Sequence, residues 1–285
     1  MRVWVLGLVV ALGACGRAPV PAHPALWEVT GPGGQRGWLF GTIHALPRAV
    51  DWRTPAVRGA LAQADEVAVE IADLNDQAAM RAAFLQAAGA AHGALPPLAQ
   101  RVDVADRGKL AALEAEAGAD TRGLDAGPTW AAALALSAGD GGDAANGVDR
   151  ALLADMRGVP VVELEGARAQ FAAFAGLSEA SQRALLATVV RGYPQAAAER
   201  DALAAAWMRG DMAAIARVAE GELGGDAGLR EGLSAGRNRR WAARVVAEMA
   251  RGRRPFVAVG AAHMAGDQGL PALLARAGFG VKRVE

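Results

Sequence analysis

The sequence predicts an α/β (α+β-like) fold, with a sheet built from the N- and C-terminal segments and a mostly helical middle. Three observations lead to this prediction. Short apolar runs typical of strands lie before residue 72 and after residue 255. Patterns of helical period dominate the residues between them. The last segments return to a strand–helix–strand order, which allows both ends of the chain to join one sheet.

The first residues of the chain predict a secretory signal peptide. Arg2 precedes an apolar stretch of about ten residues, too short for a membrane span, which needs about 20. The stretch ends in Leu-Gly-Ala-Cys at residues 12–15, which resembles the lipobox of bacterial lipoproteins. Cys15 is the only cysteine, so it has no internal disulfide partner, and lipidation is its expected role. The alternative is an ordinary signal peptide with an incidental cysteine.

These features divide the chain into three parts. Residues 1–14 are the expected signal peptide, residues 15–24 a lipidated, proline-bearing tether, and residues 25–285 the folded domain. The lipid on Cys15 would attach the protein to a membrane of the bacterial cell envelope. Gly16 is not the aspartate that retains such lipoproteins at the inner membrane, so the periplasmic face of the outer membrane is favoured by resemblance to that rule.

The composition indicates a globular, helix-rich protein without a nucleic-acid partner. Hydrophobic residues make up 53% of the chain, which excludes extensive disorder. Thirty basic residues balance thirty acidic ones. The net charge therefore gives no indication of a nucleic-acid or anionic-lipid surface.

The N-terminal elements begin with a hairpin. Residues 26–30 and 37–43 read as its strands, joined by the turn Gly-Pro-Gly-Gly at 31–34. A short helix is expected over 54–64, with a proline in its first turn. A strand over 65–71 follows and carries Glu70.

The middle and the C-terminal end complete the prediction. Helices are expected over 75–91, 103–117, 128–138, 147–157, 178–191, 196–208, 211–221 and 236–251, and one strand over 159–164. A strand over 256–259, a helix over about 269–277 and a strand over 281–284 end the chain.

Two of the four histidines follow predicted strands and share a spacing. His44 and His263 each have a glycine three positions earlier, in Gly-Thr-Ile-His and Gly-Ala-Ala-His. His92 has the same spacing, but it follows a helical pattern and is expected to end a helix. In an open α/β sheet, residues after the carboxyl ends of strands line the ligand crevice. On residue types alone, both a structural role and a functional role stay open for His44 and His263.

An ordered series of motifs resembles one protein family. The motifs are LWEV, LFGTIHALP, VAVEI, GVDR at 147–150, VVELEG at 161–166, RNRRWA at 237–242 and VAVGAAHMAGDQGL at 257–270. In this order they are similar to the TraB/GumN family, whose relatives include the PrgY pheromone-shutdown proteins and the Tiki metalloproteases. The resemblance covers residues 25 to 285.

The resemblance implies a catalytic site made of His44, His263 and Glu70. Tiki-type relatives are metal-dependent peptidases that use manganese or cobalt, and the three residues would be metal ligands. Two imidazoles and one carboxylate form a familiar open metal site with a position left for water, and they also suit zinc. The metal would activate that water and polarise the carbonyl of the bond to be cleaved. Glu70 is alternatively the general base that takes a proton from the water.

Five further residues are candidates for supporting the site or for binding substrate. Glu165 would orient a ligand imidazole by accepting its other N–H. Asp149 with Arg150, and Arg237 with Asn238, would form ion pairs near the site or bind a substrate carboxylate. Surface ion pairs and helix caps are the competing interpretation of these residues.

A metal-dependent, peptidase-like hydrolase is the leading functional prediction. No HExxH helix is present, and no GxSxG elbow follows a predicted strand, so no independent hydrolase motif supports it. The main alternative is a non-catalytic envelope lipoprotein that binds or sequesters a peptide or an envelope component. A third possibility is hydrolysis of an ester or a glycan linkage, because activated water is not specific to peptides.

Overall fold

The computed structural model describes residues 19–89, 94–117, 122–137, 143–156 and 158–285. Eight strands lie in this part of the chain: β1 (Val20–Pro21), β2 (Leu26–Thr30), β3 (Arg36–Thr42), β4 (Val50–Asp51), β5 (Glu66–Val69), β6 (Val161–Glu163), β7 (Pro255–Gly260) and β8 (Gly280–Arg283). Six of them form one sheet in the order β6-β5-β7-β3-β2-β8. The prediction that the two ends of the chain share a sheet is confirmed.

The sheet is mixed, and its parallel half carries the features of interest. Strands β6, β5, β7 and β3 are parallel, whereas β2 is antiparallel to both β3 and β8. The carboxyl ends of the four parallel strands therefore meet at one edge of the sheet. The predicted hairpin corresponds to β2 and β3, with Leu26 opposite Phe40.

Helices fill the middle of the chain. Those before β6 are α1 (Pro55–Gln63), α2 (Gln77–Ala88), α3 (Arg107–Ala117), α4 (Arg122–Ala126), α5 (Thr129–Ser137) and α6 (Val148–Asp155). After β6 come α7 (Ala167–Ala175), α8 (Glu179–Gly192), α9 (Ala196–Met208), α10 (Met212–Glu222), α11 (Ala227–Leu229), α12 (Gly236–Ala250) and α13 (Leu270–Arg276). The helical middle predicted from the sequence is thus confirmed.

Alternating side chains of the strands form two cores, one on each face of the sheet. On β7, Phe256 joins the core that includes helices α1, α6, α9 and α10, while Val257 joins the core under α12 and α13. This period of two is expected for a strand buried on both faces. A third cluster, around Leu110, Leu136 and Leu186, packs the helical middle together. The sheet is therefore the central layer of the fold.

Some elements are not apparent in the sequence pattern. Helix α7 is absent from the predicted helices. It has no buried residue, so its sequence carries only a weak amphipathic pattern. The two-residue strands β1 and β4 pair in parallel, and Ala22 beside them is buried, although residues 20–24 were expected to belong to the tether. No helix in the described part of the chain is long and apolar enough to cross a membrane.

Candidate active site

The carboxyl edge of the parallel strands brings the predicted site residues together. Glu70 directly follows β5, and His44 lies two residues beyond β3. His263 lies in the 3₁₀ turn Ala261–Met264 that follows β7. Because β7 lies between β5 and β3 in the sheet, these three side chains come from adjacent strands.

Gly260 shows how closely the three groups approach one another. A Cβ atom at this position would lie 3.4 Å from Glu70 Oε1, 3.6 Å from His44 Nε2 and 3.8 Å from His263 Cδ2. The missing side chain therefore leaves a small space that all three groups border. Gly260 is the glycine of the motif Gly-Ala-Ala-His at residues 260–263, and its lack of a side chain leaves this space open.

The His44 imidazole is oriented by a buried carboxylate. His44 Nδ1 donates a hydrogen bond to Asp149 Oδ2 over 2.9 Å, and Thr42 Oγ1 donates to Asp149 Oδ1 over 2.6 Å. Asp149 lies in the first turn of α6 and is 8% exposed. Since Nδ1 carries the proton, Nε2 is left to face the space beside Gly260. The GVDR motif thus supplies the residue that orients His44.

The His263 imidazole is oriented in the same way by an amide. Asn238 Nδ2 donates to the Gln268 carbonyl over 2.7 Å, so its Oδ1 is the atom that accepts from His263 Nδ1 over 2.6 Å. Nε2 of His263 therefore carries a lone pair. In the neutral form, both histidines combine a bound Nδ1 with a lone pair on Nε2, which is the arrangement that second-sphere partners give to metal-binding imidazoles.

Arg237 joins the remaining site residues. Its guanidinium donates to Glu70 Oε2 over 2.9 Å and, from two nitrogens, to Glu165 Oε2 over 2.8 and 2.6 Å. A third nitrogen lies 3.3 Å from His263 Nε2. Trp241, one helical turn later, contacts both the guanidinium and the His263 ring. One buried cation thus compensates two buried carboxylates.

The local structure explains why α12 delivers Arg237 and Asn238 to this edge. Residues 227 to 250 are helical throughout, but Arg230–Ala235 form a π-helical turn between α11 and α12. A π-turn changes the phase of the following helix and is frequent at functional sites. Glu70 lies on the same face of the sheet as Ala68, whose side chain packs in the core under α12. The phase of α12 and the strand alternation therefore direct Arg237 toward Glu70.

The charged neighbours move the pKa values of the site in opposite directions. Desolvation opposes the charging of His44, but the hydrogen bond and negative charge of Asp149, with the charge of Glu70, raise its pKa to about 9. Desolvation and the positive charge of Arg237 lower the pKa of His263 to about 4, although Glu70 acts against them. Desolvation favours the neutral form of Glu70, yet His263, His44 and Arg237 together keep its pKa below the usual value. Near neutral pH the two histidines therefore differ: His263 is neutral, whereas His44 is protonated and would have to lose its Nε2 proton to bind a metal.

Two supporting residues bind partners other than those expected. Glu165 does not orient an imidazole; it accepts from Arg237, because it lies beyond β6, at the side of the site away from β3. Arg150 does not pair with Asp149, and instead its guanidinium donates to Asn75 Oδ1 and the Leu74 carbonyl. Adjacent residues on a helix point in directions about 100° apart, which separates Arg150 from Asp149.

Thr42 and Trp241 are site residues that sequence reasoning missed. Each has a usable signal. Thr42 precedes His44 by two positions in the strand-end motif, and Trp241 follows Arg237 by four positions on the same helical face. The prediction that His92 ends a helix falls on a residue outside the part of the chain that the structure describes. His23 forms a hydrogen bond with Glu285, away from the site.

The donor set fits a divalent metal in the types of its side chains. The carboxylate of Glu70, Nε2 of His44 and the ring of His263 border one space, and each imidazole has an oxygen acceptor on Nδ1. Among the described residues, no group of three or more His, Cys, Asp or Glu is close enough to form a finished metal site. In this structure Arg237 donates to Glu70 Oε2, and its Nη1 lies 3.3 Å from His263 Nε2. A metal held by these two atoms would have to displace the guanidinium from them.

Comparison with known proteins identifies the family of the chain. No curated protein and no solved structure matches the chain significantly. The model of the TraB/PrgY/gumN family matches residues 25–283, nearly the whole chain and all of the site residues. The chain therefore belongs to the TraB/PrgY/gumN family.

Proposed function

We propose that this chain is a metal-dependent, peptidase-like hydrolase whose active site is the cluster of His44, Glu70 and His263. The observation that carries the proposal is the space beside Gly260, which all three groups border within 3.4–3.8 Å of a hypothetical Cβ. The metal ligands would be His44 Nε2, His263 Nε2 and Glu70. A bound divalent metal, with manganese, cobalt and zinc as the candidates, supplies Lewis acidity and lowers the pKa of bound water.

The protein's own groups have distinct tasks in this proposal. Asp149 and Asn238 hold the two imidazoles in the tautomer that leaves Nε2 free. The Gly260 N–H donates to Glu70 Oε1 over 2.8 Å and so fixes the carboxylate at the same edge. The substrate carbonyl then has to be bound by other side chains that lie next to the two imidazoles and the carboxylate. Fixed groups of this kind lower the entropic cost of reaching the transition state, because the reacting groups are already oriented.

The charge of Arg237 offers a second task in the reaction. Attack of water on a carbonyl develops negative charge on oxygen, and a fixed cation near that oxygen stabilises the transition state. Arg237 is 6% exposed and is held by Glu70, Glu165 and the face of Trp241. These contacts hold the cation beside the cluster.

Metal binding by the soluble protein tests the proposal. A protein that starts at Ala18 retains all eight described strands and the three core clusters. We expect one manganese, cobalt or zinc ion per chain by calorimetry and metal analysis, and cleavage of peptides in a mass-spectrometric screen. His44→Ala, Glu70→Ala and His263→Ala should lose the metal while they stay folded.

His23→Ala is the matched control, because His23 is exposed and lies away from the site. It should bind metal as the wild type does. A folded wild type that binds none of the three metals would overturn metal dependence. Hydrolysis that persists without metal but needs His44 and Asp149 would then indicate an acid–base hydrolase. Ligand capture without turnover would indicate the binding lipoprotein.

We also propose attachment through a lipid on Cys15 at the periplasmic face of the bacterial outer membrane. The support is the signal-peptide pattern and the lipobox-like Leu-Gly-Ala-Cys at residues 12–15. Membrane fractionation of cells that express the full chain tests this. Cys15→Ser should release the protein from the membrane fraction, and retention of that variant would contradict lipid anchoring.

A further inference from the structure

A cleft of about 110 Å³ opens beside the proposed catalytic cluster. Its lining includes the ionisable residues His44, Glu70 and Asp149. The rest of its lining, called the wall below, has no charged group and consists of Val69, Ile71, Leu74, Met80 and Gln170.

The wall is held in place from outside the cleft. The Ala72 N–H donates to Glu163 Oε1 over 2.9 Å, which ties the loop after β5 to the edge strand β6. Arg150 donates to the Leu74 carbonyl over 3.2 Å and to Asn75 Oδ1 over 3.1 Å, which ties the same loop to α6. Arg150 directly follows Asp149, so one helical turn orients His44 on one side and supports the wall on the other.

The helices that complete the wall are also packed against each other. Met80 belongs to α2 and Gln170 to α7. Phe84 and Phe171, from the same two helices, meet edge to face with ring centroids 5.5 Å apart. The cleft is therefore preformed, and a ligand that fills it does not have to order the wall.

From this cleft we propose a specificity subsite that receives one uncharged apolar side chain, of leucine or methionine size, next to the bond that the enzyme cleaves. An apolar side chain gains contacts along this wall, whereas a charged side chain that lies against it finds no partner there. The size follows from the volume: an apolar cavity of about 150 Å³ accommodates benzene, and this cleft is smaller. The position of the bond rests on the proposed hydrolase function, whereas the preference for an apolar side chain does not.

Two parallel measurements on the protein from Ala18 onward separate these statements. The probes are acetyl-Ala-Xaa-Ala-amide peptides with glycine, leucine, methionine, tryptophan, aspartate or lysine at Xaa. Binding is measured by ligand-observed NMR, and hydrolysis of the same peptides by mass spectrometry with manganese. We expect the leucine and methionine peptides to bind about tenfold or more tightly than the glycine peptide, since pockets discriminate by this much per side chain.

Two variants of α2 make the test specific. Met80→Trp fills the cleft and should abolish the preference for leucine over glycine. Leu85→Trp adds the same bulk to a residue of α2 that is 53% exposed, and it should leave the preference unchanged. Circular dichroism shows whether both variants are folded. Leu74→Ala instead removes bulk from the wall, which enlarges the cleft, and it should increase binding of the tryptophan peptide.

The outcomes distinguish the subsite from the enzyme. Selective binding that Met80→Trp abolishes, without hydrolysis of any peptide, supports the subsite and overturns the hydrolase. Hydrolysis that does not depend on Xaa overturns the subsite and leaves the hydrolase. A preference that survives Met80→Trp, or preference for a charged Xaa, also overturns the subsite.

Discussion

Replacement of Arg237 by methionine should destabilise the protein more than replacement of any surface arginine. Methionine keeps much of the volume and the contact with Trp241 but removes the charge and all of the hydrogen bonds. The guanidinium contacts Glu70 and Glu165, whose side chains are 11% and 3% exposed. Without it, the two buried carboxylates lose their shared cation, and Glu165 keeps only the exposed Arg240 at 3.6 Å.

The structure sets the size of the effect. Loss of one partner from a buried ion pair costs about 3–5 kcal/mol, because the other charge is left uncompensated. Arg237 serves two carboxylates, so we expect the upper part of that range. A typical domain unfolds with about 5–15 kcal/mol, and the variant should therefore be close to the limit of stability.

Urea unfolding of the two proteins measures the difference. Arg239→Met is the control: Arg239 lies on the same helix, is 49% exposed and pairs with Glu231, so its loss should cost about 1 kcal/mol or less. Glu165→Gln in the Arg237→Met background should recover part of the lost stability, since it removes one of the unpaired charges. A loss below about 1 kcal/mol for Arg237→Met would refute the ion-pair reasoning.

Three further predictions concern single positions. Gly260→Ala should fold normally, because φ −47° and ψ 134° suit alanine, but it should lose metal and activity as its Cβ enters the shared space; unchanged metal binding would contradict this. Asp149→Asn should weaken metal binding by about 10–100-fold in calorimetry, since one amide cannot accept from both Thr42 and His44. Burial, with the nearby charge of Glu248, raises the pKa of Glu66. The free energy of unfolding of the wild type should therefore fall as the pH rises from the pKa of Glu66 in the unfolded chain through its higher pKa in the folded protein. Glu66→Gln should show no such fall in unfolding experiments from pH 4 to 8.

Much of this fold could be read from local patterns. The apolar runs at both ends and the helical periods between them depend only on neighbouring residues, and they correspond to strands and helices within a few positions. The placement of His44 and His263 past strand ends followed from the same patterns, whereas Glu70 was expected inside the strand over 65–71 and directly follows β5. The family resemblance agrees with the match over residues 25–283.

The supporting contacts could not be read in this way. Asp149 and Arg150 are neighbours in the chain, and the phase of α6 alone decides that one orients His44 while the other holds the loop at Leu74. The π-helical turn before α12 changes the direction in which the Arg237 side chain leaves the helix, and the hydrophobic periodicity of the sequence does not reveal this turn. Glu165 binds this arginine because β6 lies at the edge of the sheet.

The sequence by itself thus determined most of the elements, the strand-end position of His44 and His263, and the family. The tertiary structure decided that β7 lies between β5 and β3, which is what brings Glu70, His263 and His44 to one space beside Gly260. The physical reason is that a buried strand is apolar on both faces whichever strands it pairs with. Its residues therefore specify burial, whereas the strand order depends on how all the helices cover the sheet at once.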